Sequence, residues 1–381
     1  MRRRTALRFL LALVPVLGLG LLSGLTLPTL PFPGPVQGAH PSPVKAERVV
    51  YLGGRLADEQ VIAFTAAVAA ARPDAVVLLD SPSTASPIKA FLADYRPERI
   101  VPVGSFPEGV LEVEARLIPR TSPTLPWKRG PPLALWKELF PWAERVVVCP
   151  AQPRGQLLEA ACLAGSLRAP LYITHRGMGE DQELRGLLAG WRTREVFAVG
   201  SAVLLCRGLP DVRLVPLRDA QAVADAYLSR QLKSEPIRTL VVTNPSDTRQ
   251  DLGGMSVLAP WVALHHHAAL LLTNDQGNNT TAVVHQADAL EADNLILVAN
   301  LKAIPMERRD NPQPGKDEAI EMEPLTPTGV GAFSYATGRL FHQDPAVVPL
   351  LLARQRLLEE ASARVLPPHS RKALVVSNSG G

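Results

Sequence analysis

The chain has 381 residues and a mass of 41.1 kDa. With 46% hydrophobic and 20% charged residues it has a globular composition and room for two domains or a set of repeats, which excludes a disordered chain and a collagen-like fibre. Its formal charge of +4 would ordinarily point to an anionic partner. Arg2, Arg3, Arg4 and Arg8 account for all of that excess, because setting those four aside leaves 36 basic against 36 acidic side chains. The remainder is neutral, and no nucleic-acid partner is expected.

The four arginines precede the apolar run Phe9 to Leu22, which is followed by Pro28, Pro31, Pro33 and Pro35 and by the small residues Gly38 and Ala39. Charged, then apolar, then cleavable is the layout of a secretory signal over residues 1–39. The apolar stretch continues to about Leu30, long enough to cross a hydrocarbon core of roughly 30 Å, so an uncleaved anchor is the alternative. Export to the envelope, periplasm or exterior is the expected address, with membrane contact only through this segment.

Beyond the leader the chain repeats itself. Leu92 to Ser105 (LADYRPERIVPVGS) matches Leu188 to Ser201 (LAGWRTREVFAVGS), with identities at Leu92/Leu188, Ala93/Ala189, Arg96/Arg192, Val103/Val199, Gly104/Gly200 and Ser105/Ser201. Upstream, Val49 to Leu52 pairs with Val146 to Cys149, and Ala75 to Asp80 with Pro170 to His175. A third copy runs from Leu240 (LVVTN) through a helix-like stretch, Met255 to His267, to AALLLT ending at Thr273 and LILVAN from Leu295. The opening strands begin at Val49, Val146 and Leu240, 97 and 94 residues apart. The repeats are placed at 47–106, 144–235 and 236–304.

Each copy alternates short, wholly apolar strands with helical spacing, as strands buried under helices on both faces do. The fold expected is α/β: three tandem three-layer α/β/α repeats with short parallel sheets and right-handed crossovers, plus the N-terminal signal or anchor helix. Residues 107–143, rich in proline, read as a linker, and 305–330, polar and charged, as an exposed or disordered connection. Residues 331–381 carry an amphipathic helix, Val347 to Val365, and a strand, Ala373 to Val376. They read as the start of a truncated further domain.

The order VVVC, LLEAACLAGSLRAPLYIT, VFAVGS in copy two, with Ala268 to Thr273 in copy three, resembles the type 2 cell-wall-binding repeat of bacterial surface proteins. That resemblance implies a non-enzymatic attachment module whose partner is a cell-wall polymer or envelope glycan. Two departures stand out. Where the family has Asp-Ala-Leu at the first helix, copy two has Gln156-Leu157-Leu158 and copy three has Gly254 or Met255. Where it has a second glycine after the third strand, this chain has Ser105, Ser201 and Asn300. The tail, Gly338-Arg339-Leu340 followed by Asp344-Pro345 and the long helix, resembles the opening of a gingipain-like cysteine peptidase domain. It implies an N-terminal, non-catalytic region of such an enzyme, whose histidine and cysteine would lie beyond Gly381.

Ligands of open α/β sheets bind beyond the carboxyl ends of strands. In copy three those ends gather Asn244, Ser246, Asp247, Asn274, Asp275 and Asn278, a polar set suited to sugar hydroxyls. A carbohydrate-related enzyme or binding protein using that cleft is the remaining alternative. No GxSxG, HExxH, P-loop or CxxC is present, so no catalytic residue and no cofactor is assigned. Cys149, Cys162 and Cys206 sit in apolar contexts and read as buried small hydrophobes, or as one disulfide plus a free thiol. Cys149 and His175 end neighbouring strands, which makes a Cys/His dyad conceivable. His265, His266 and His267 follow one another on a helix about 100° apart, so they cannot converge on one metal ion.

Overall fold

The computed structural model describes residues 47–117, 121–127, 130–175, 177–248, 254–273, 283, 287–310, 319–322 and 336–365. These all fall in one compact unit, Ala46–Gly381. The expected signal or anchor at 1–39 and the strand Ala373 to Val376 lie outside them. Among the described residues no helix is long and apolar enough to cross a membrane.

Three short parallel sheets form, as the apolar runs require. In repeat 1, β1 (Val49–Gly53), β2 (Val76–Leu79) and β3 (Arg99–Val103) lie in the order β2-β1-β3. In repeat 2, β4 (Arg145–Pro150), β5 (Leu171–Thr174), β6 (Glu195–Val199) and β7 (Arg213–Leu217) give β5-β4-β6-β7. Repeat 3 has β8 (Thr239–Thr243), β9 (Ala269–Leu272) and β10 (Asn294–Val298). Two residue stretches read as lying outside the repeats join these sheets. β13 (Ala336–Leu340) pairs in parallel with β10, Ile296 opposite Gly338, and so takes the fourth position that β7 holds in repeat 2. In repeat 1 the same position is taken by Thr121 and Leu125, which form parallel bridges to Ile100 and Val103. Prolines are tolerated there because an edge strand has no ladder partner on its outer side.

Within 305–330, β11 (Glu307–Arg309) and β12 (Ile320–Met322) pair as an antiparallel ribbon, a locally closed structure in a segment whose polarity had suggested none.

Helices α1 (Asp58–Ala71), α5 (Arg154–Leu167) and α9 (Ala259–His265, preceded by a 3₁₀ turn at Met255–Leu258) follow the first strand of each repeat and pack against one another at the centre. Their composition explains this. In α1 every residue from Val61 to Val68 is buried, and in α5 every residue from Leu157 to Gly165; a helix apolar on all sides must be enclosed on all sides. Small side chains bring the backbones close: a Cβ on Gly165 would stand 2.2 Å from Leu264 Cδ1. The repeats therefore form a ring about the three central helices.

The last helix of each repeat reaches the next one. From repeat 1, α4 (Leu133–Leu139) packs Trp136 against Tyr172 and Trp191 of repeat 2, with ring centroids 6.0 and 5.3 Å apart. From repeat 2, α8 (Ala220–Ser234) places the Tyr227 hydroxyl so that it donates to the Ala268 carbonyl ahead of β9, at 2.6 Å. From repeat 3, α10 (Val347–Val365) returns to repeat 1, where Leu350 and Ala353 share a core with Val76, Leu78, Ile88 and Phe91. An ion pair, Arg48 Nη2 to Glu360 Oε2 at 2.8 Å, closes the ring. The Gly338-Arg339-Leu340 strand and the helix after it thus complete the third repeat.

Candidate functional site

Helix starts meet at one end of the ring axis. Arg154, the first residue of α5, is buried; its Nη1 donates to Asp58 Oδ2 at 2.8 Å and its Nε to Ser256 Oγ at 3.0 Å. Asp58 is the first residue of α1, and Ser256 lies in the turn before α9. Ser256 in turn donates from both its N–H and its hydroxyl to the Asp247 carboxylate. Burial raises the Asp247 carboxyl above its ordinary range, while the Ser256 donors and Arg154 pull it back. One cluster thus ties the three repeats through equivalent positions of three different chemistries, Asp, Arg and Ser.

This geometry accounts for half of the residues read as a polar cleft. Asn244 and Asp247 are 1% and 0% exposed. Asn244 Nδ2 donates to the Ala303 carbonyl and its Oδ1 accepts from the Ser246 N–H, both at 2.9 Å. The structure brings these three residues together, with the Asn244 and Asp247 side chains bonded to the chain's own groups and Ser246 donating its backbone N–H to Asn244. Asn274, Asp275 and Asn278 lie outside the described residues.

The crevice where the first and third strands of such a sheet part is the ordinary ligand position, and here each repeat closes it with its own chain. In repeat 1 the Gly54 N–H donates to the Val103 carbonyl at 2.8 Å and the Arg55 N–H to the Ser105 carbonyl at 2.7 Å. In repeat 2 the Gln156 side chain lies against Gly200. In repeat 3 the Thr243 hydroxyl donates to the Val298 carbonyl at 2.7 Å, beside Asn244. Gly104 and Gly200, the glycine common to both clear copies, have φ of 100° and 53°, a backbone region that favours glycine.

Open clefts lie between repeats instead. One of about 370 Å³ sits at the end of β2 and takes its walls from Asp80, Ser81, Thr248 and Gln343. Another, of about 190 Å³, occupies the corresponding place at the end of β5, between Trp127, Pro131 and Thr174. A third, of about 270 Å³, lies where the carboxyl ends of α1, α5 and α9 approach α10, and Arg72, Arg168, His265, His267 and Arg356 line it. Arg72 and Arg168 are the C-caps of α1 and α5. Neither sequence neighbourhood marks them; their signal is only that each is the cation following an Ala/Leu-rich helix.

The thiols are buried and free, Cys149, Cys162 and Cys206 alike. Burial pushes all three up, Cys206 to about 12. Cys149 Sγ donates to the Pro150 carbonyl at 3.3 Å, whereas the His175 ring faces Tyr172 and Glu183, each at 3.4 Å. The two are held apart by separate partners. At the end of α9 the His266 N–H donates to the Val262 carbonyl, His265 stacks near Trp261 at 6.0 Å, and His267 Nδ1 stands 3.5 Å from Glu235. Among the described residues no group of three or more His, Cys, Asp or Glu is arranged to hold a metal ion.

No family model matches the sequence, and no curated protein does. Solved structures similar to it include two cell-wall proteins of one organism. Cwp6 from Clostridium difficile has a TM-score of 0.46 at 16% identity, over 66% of this chain and 41% of that one. Cwp8 from Clostridium difficile has a TM-score of 0.47 at 15% identity, over 66% of this chain and 44% of that one. The chain spans less than half the length of the structures it matches.

Proposed function

We propose that this chain is an exported, non-enzymatic attachment module of the cell envelope, in which three α/β repeats act as one ring-shaped body. The observation that carries this reading is the closure of all three strand-end crevices by the chain's own Gly54, Gln156 and Thr243. An enzyme on such sheets keeps that crevice for substrate. A scaffold for a large ligand has no use for it and offers surfaces between repeats, which here remain open. The resemblance of copies two and three to cell-wall-binding repeats supports the same reading and names the partner class, a wall polymer or envelope glycan.

Retention on purified envelopes tests it. The chain from Glu47 onward is expected to sediment with envelope fragments, above a neutral control protein of similar size. Equal sedimentation of the two overturns the proposal.

A further inference from the structure

We propose that Glu159 makes the hold of α8 on α5 proton-dependent, so that the joint between repeats 2 and 3 loosens as the pH rises. The inference concerns the ring itself and does not depend on what the ring binds.

Glu159 lies in the middle of α5, is 2% exposed, and leaves its Oε2 without a hydrogen-bond partner. The elements packed on α5 are α1, α8, α9, β4, β5 and β9, and none brings it a cation. The residues that α1 and α9 bury, Val61 to Val68 and Ala259 to Ala263, are uncharged, as is β9. His265 at the end of α9 responds to burial first, and then to His266, Arg356 and Glu359. In β4, Cys149 donates to Pro150 and Arg145 pairs with Glu195; in β5, the Tyr172 hydroxyl donates to Glu183. Arg230 of α8 turns to the Ser166 carbonyl. The groups that do share a field with Glu159 are acids, Cys162 one turn further along α5 and Tyr227 of α8. A carboxylate in such a place has neither counter-ion nor water, so the closed joint holds the neutral acid.

α8 bridges to repeat 3 at the same spot. The Tyr227 hydroxyl donates to the Ala268 carbonyl at 2.6 Å and accepts from Gln231 Nε2 at 3.0 Å. It has no second proton to offer a carboxylate. Water reaches Glu159 only when α8 lifts from α5, and that movement breaks the Tyr227 bond to repeat 3. The opened, wet carboxyl releases its proton above about pH 4.3, whereas the closed one keeps it. Opening therefore becomes more frequent by up to about tenfold per pH unit, and levels off above the closed form's own titration.

Thiol labelling measures this directly. The native chain is treated with N-ethylmaleimide at pH 6, 7 and 8, and uptake at each cysteine is read by peptide mass spectrometry. Dividing by the rate for the urea-unfolded chain at the same pH gives the opening frequency of each site. Cys162, which shares a field with Tyr227, is expected to open more often than Cys149, which is held in β4 within its sheet. Its frequency should climb with pH in the wild type and stay flat in Glu159→Gln. Tyr227→Phe should raise it at least threefold at every pH and leave Cys149 unchanged. Equal frequencies at Cys162 and Cys149, no climb in the wild type, or a climb that survives Glu159→Gln overturns the proposal. Tyr227→Phe without effect on Cys162, or with equal effect on Cys149, overturns it as well.

Discussion

Arg154 and Asp58, the first residues of equivalent helices in adjacent repeats, are joined at 2.8 Å across the ring axis. The pair is lopsided, since the Arg154 side chain is 7% exposed and that of Asp58 is 50%. Removing the buried partner strands polar groups, while removing the exposed one leaves a carboxylate site open to water. Arg154→Ala is expected to cost about 3–5 kcal/mol, the range for breaking a buried ionic cluster. Asp58→Ala should cost less, because water reaches the vacated site and the Asp247 carboxylate still stands 3.9 Å from Arg154 Nη2. Urea denaturation of both variants checks the asymmetry, and equal losses would contradict it.

Glu159 is buried inside α5, and its Oε2 has no hydrogen-bond partner among the described residues. Burial raises its carboxyl well above the ordinary range. The folded chain therefore keeps a proton that the unfolded chain releases above about pH 4.3, so stability is fullest below that value and falls as pH rises toward the native one. Glu159→Gln keeps the shape and carries no such proton. Its melting temperature should match wild type near pH 4 and exceed it increasingly toward pH 8. A gap that does not widen with pH would sink this account.

Gly165 admits the Leu264 side chain into the surface of α5. Gly165→Ala is expected to destabilise by about 1–3 kcal/mol through overpacking. Leu264→Ala in the same chain should recover part of that loss, a coupling that a double-mutant cycle measures directly.

Three free, buried cysteines with raised proton affinity make poor nucleophiles. The native protein at pH 8 should resist a thiol reagent over the time in which the urea-unfolded protein takes up three equivalents. Prompt labelling of the folded chain would show that one of these cores opens.

Local features of the sequence predicted local features of the fold well. Uninterrupted runs such as VVLL and LYIT are strands, and the Val-Gly-Ser shared by two copies marks a positive-φ glycine after the third strand. What stayed hidden depends on partners far apart in the chain. The prolines of 107–143 read as a linker, yet Leu135, Trp136 and Leu139 of α4 are core residues, because the helix lies against another repeat. Nothing near Leu350 announces that its helix covers β2 and the helix Ala85–Tyr95. For the site, Asn244 and Asp247 were visible as polar residues at a strand end, but whether a polar group faces a ligand or braces the chain is decided by its partners. Arg72, Arg168 and Arg154 carry no mark in the sequence for the same reason: each is an ordinary cation at a helix end until three ends meet.

The return of α10 to repeat 1 sets a rule for how this chain matures. In a linear solenoid each unit is finished once its neighbour exists, and stability grows by increments along the array. Here the apolar surface of Val76, Leu78 and Ile88 waits for Leu350 and Ala353. A chain emerging N-terminus first carries that surface uncovered through some 270 residues of synthesis, as the separation of Leu78 from Leu350 requires. Holding factors that bind extended apolar segments would act on the first repeat, and the ring would become protease-resistant in a single late step.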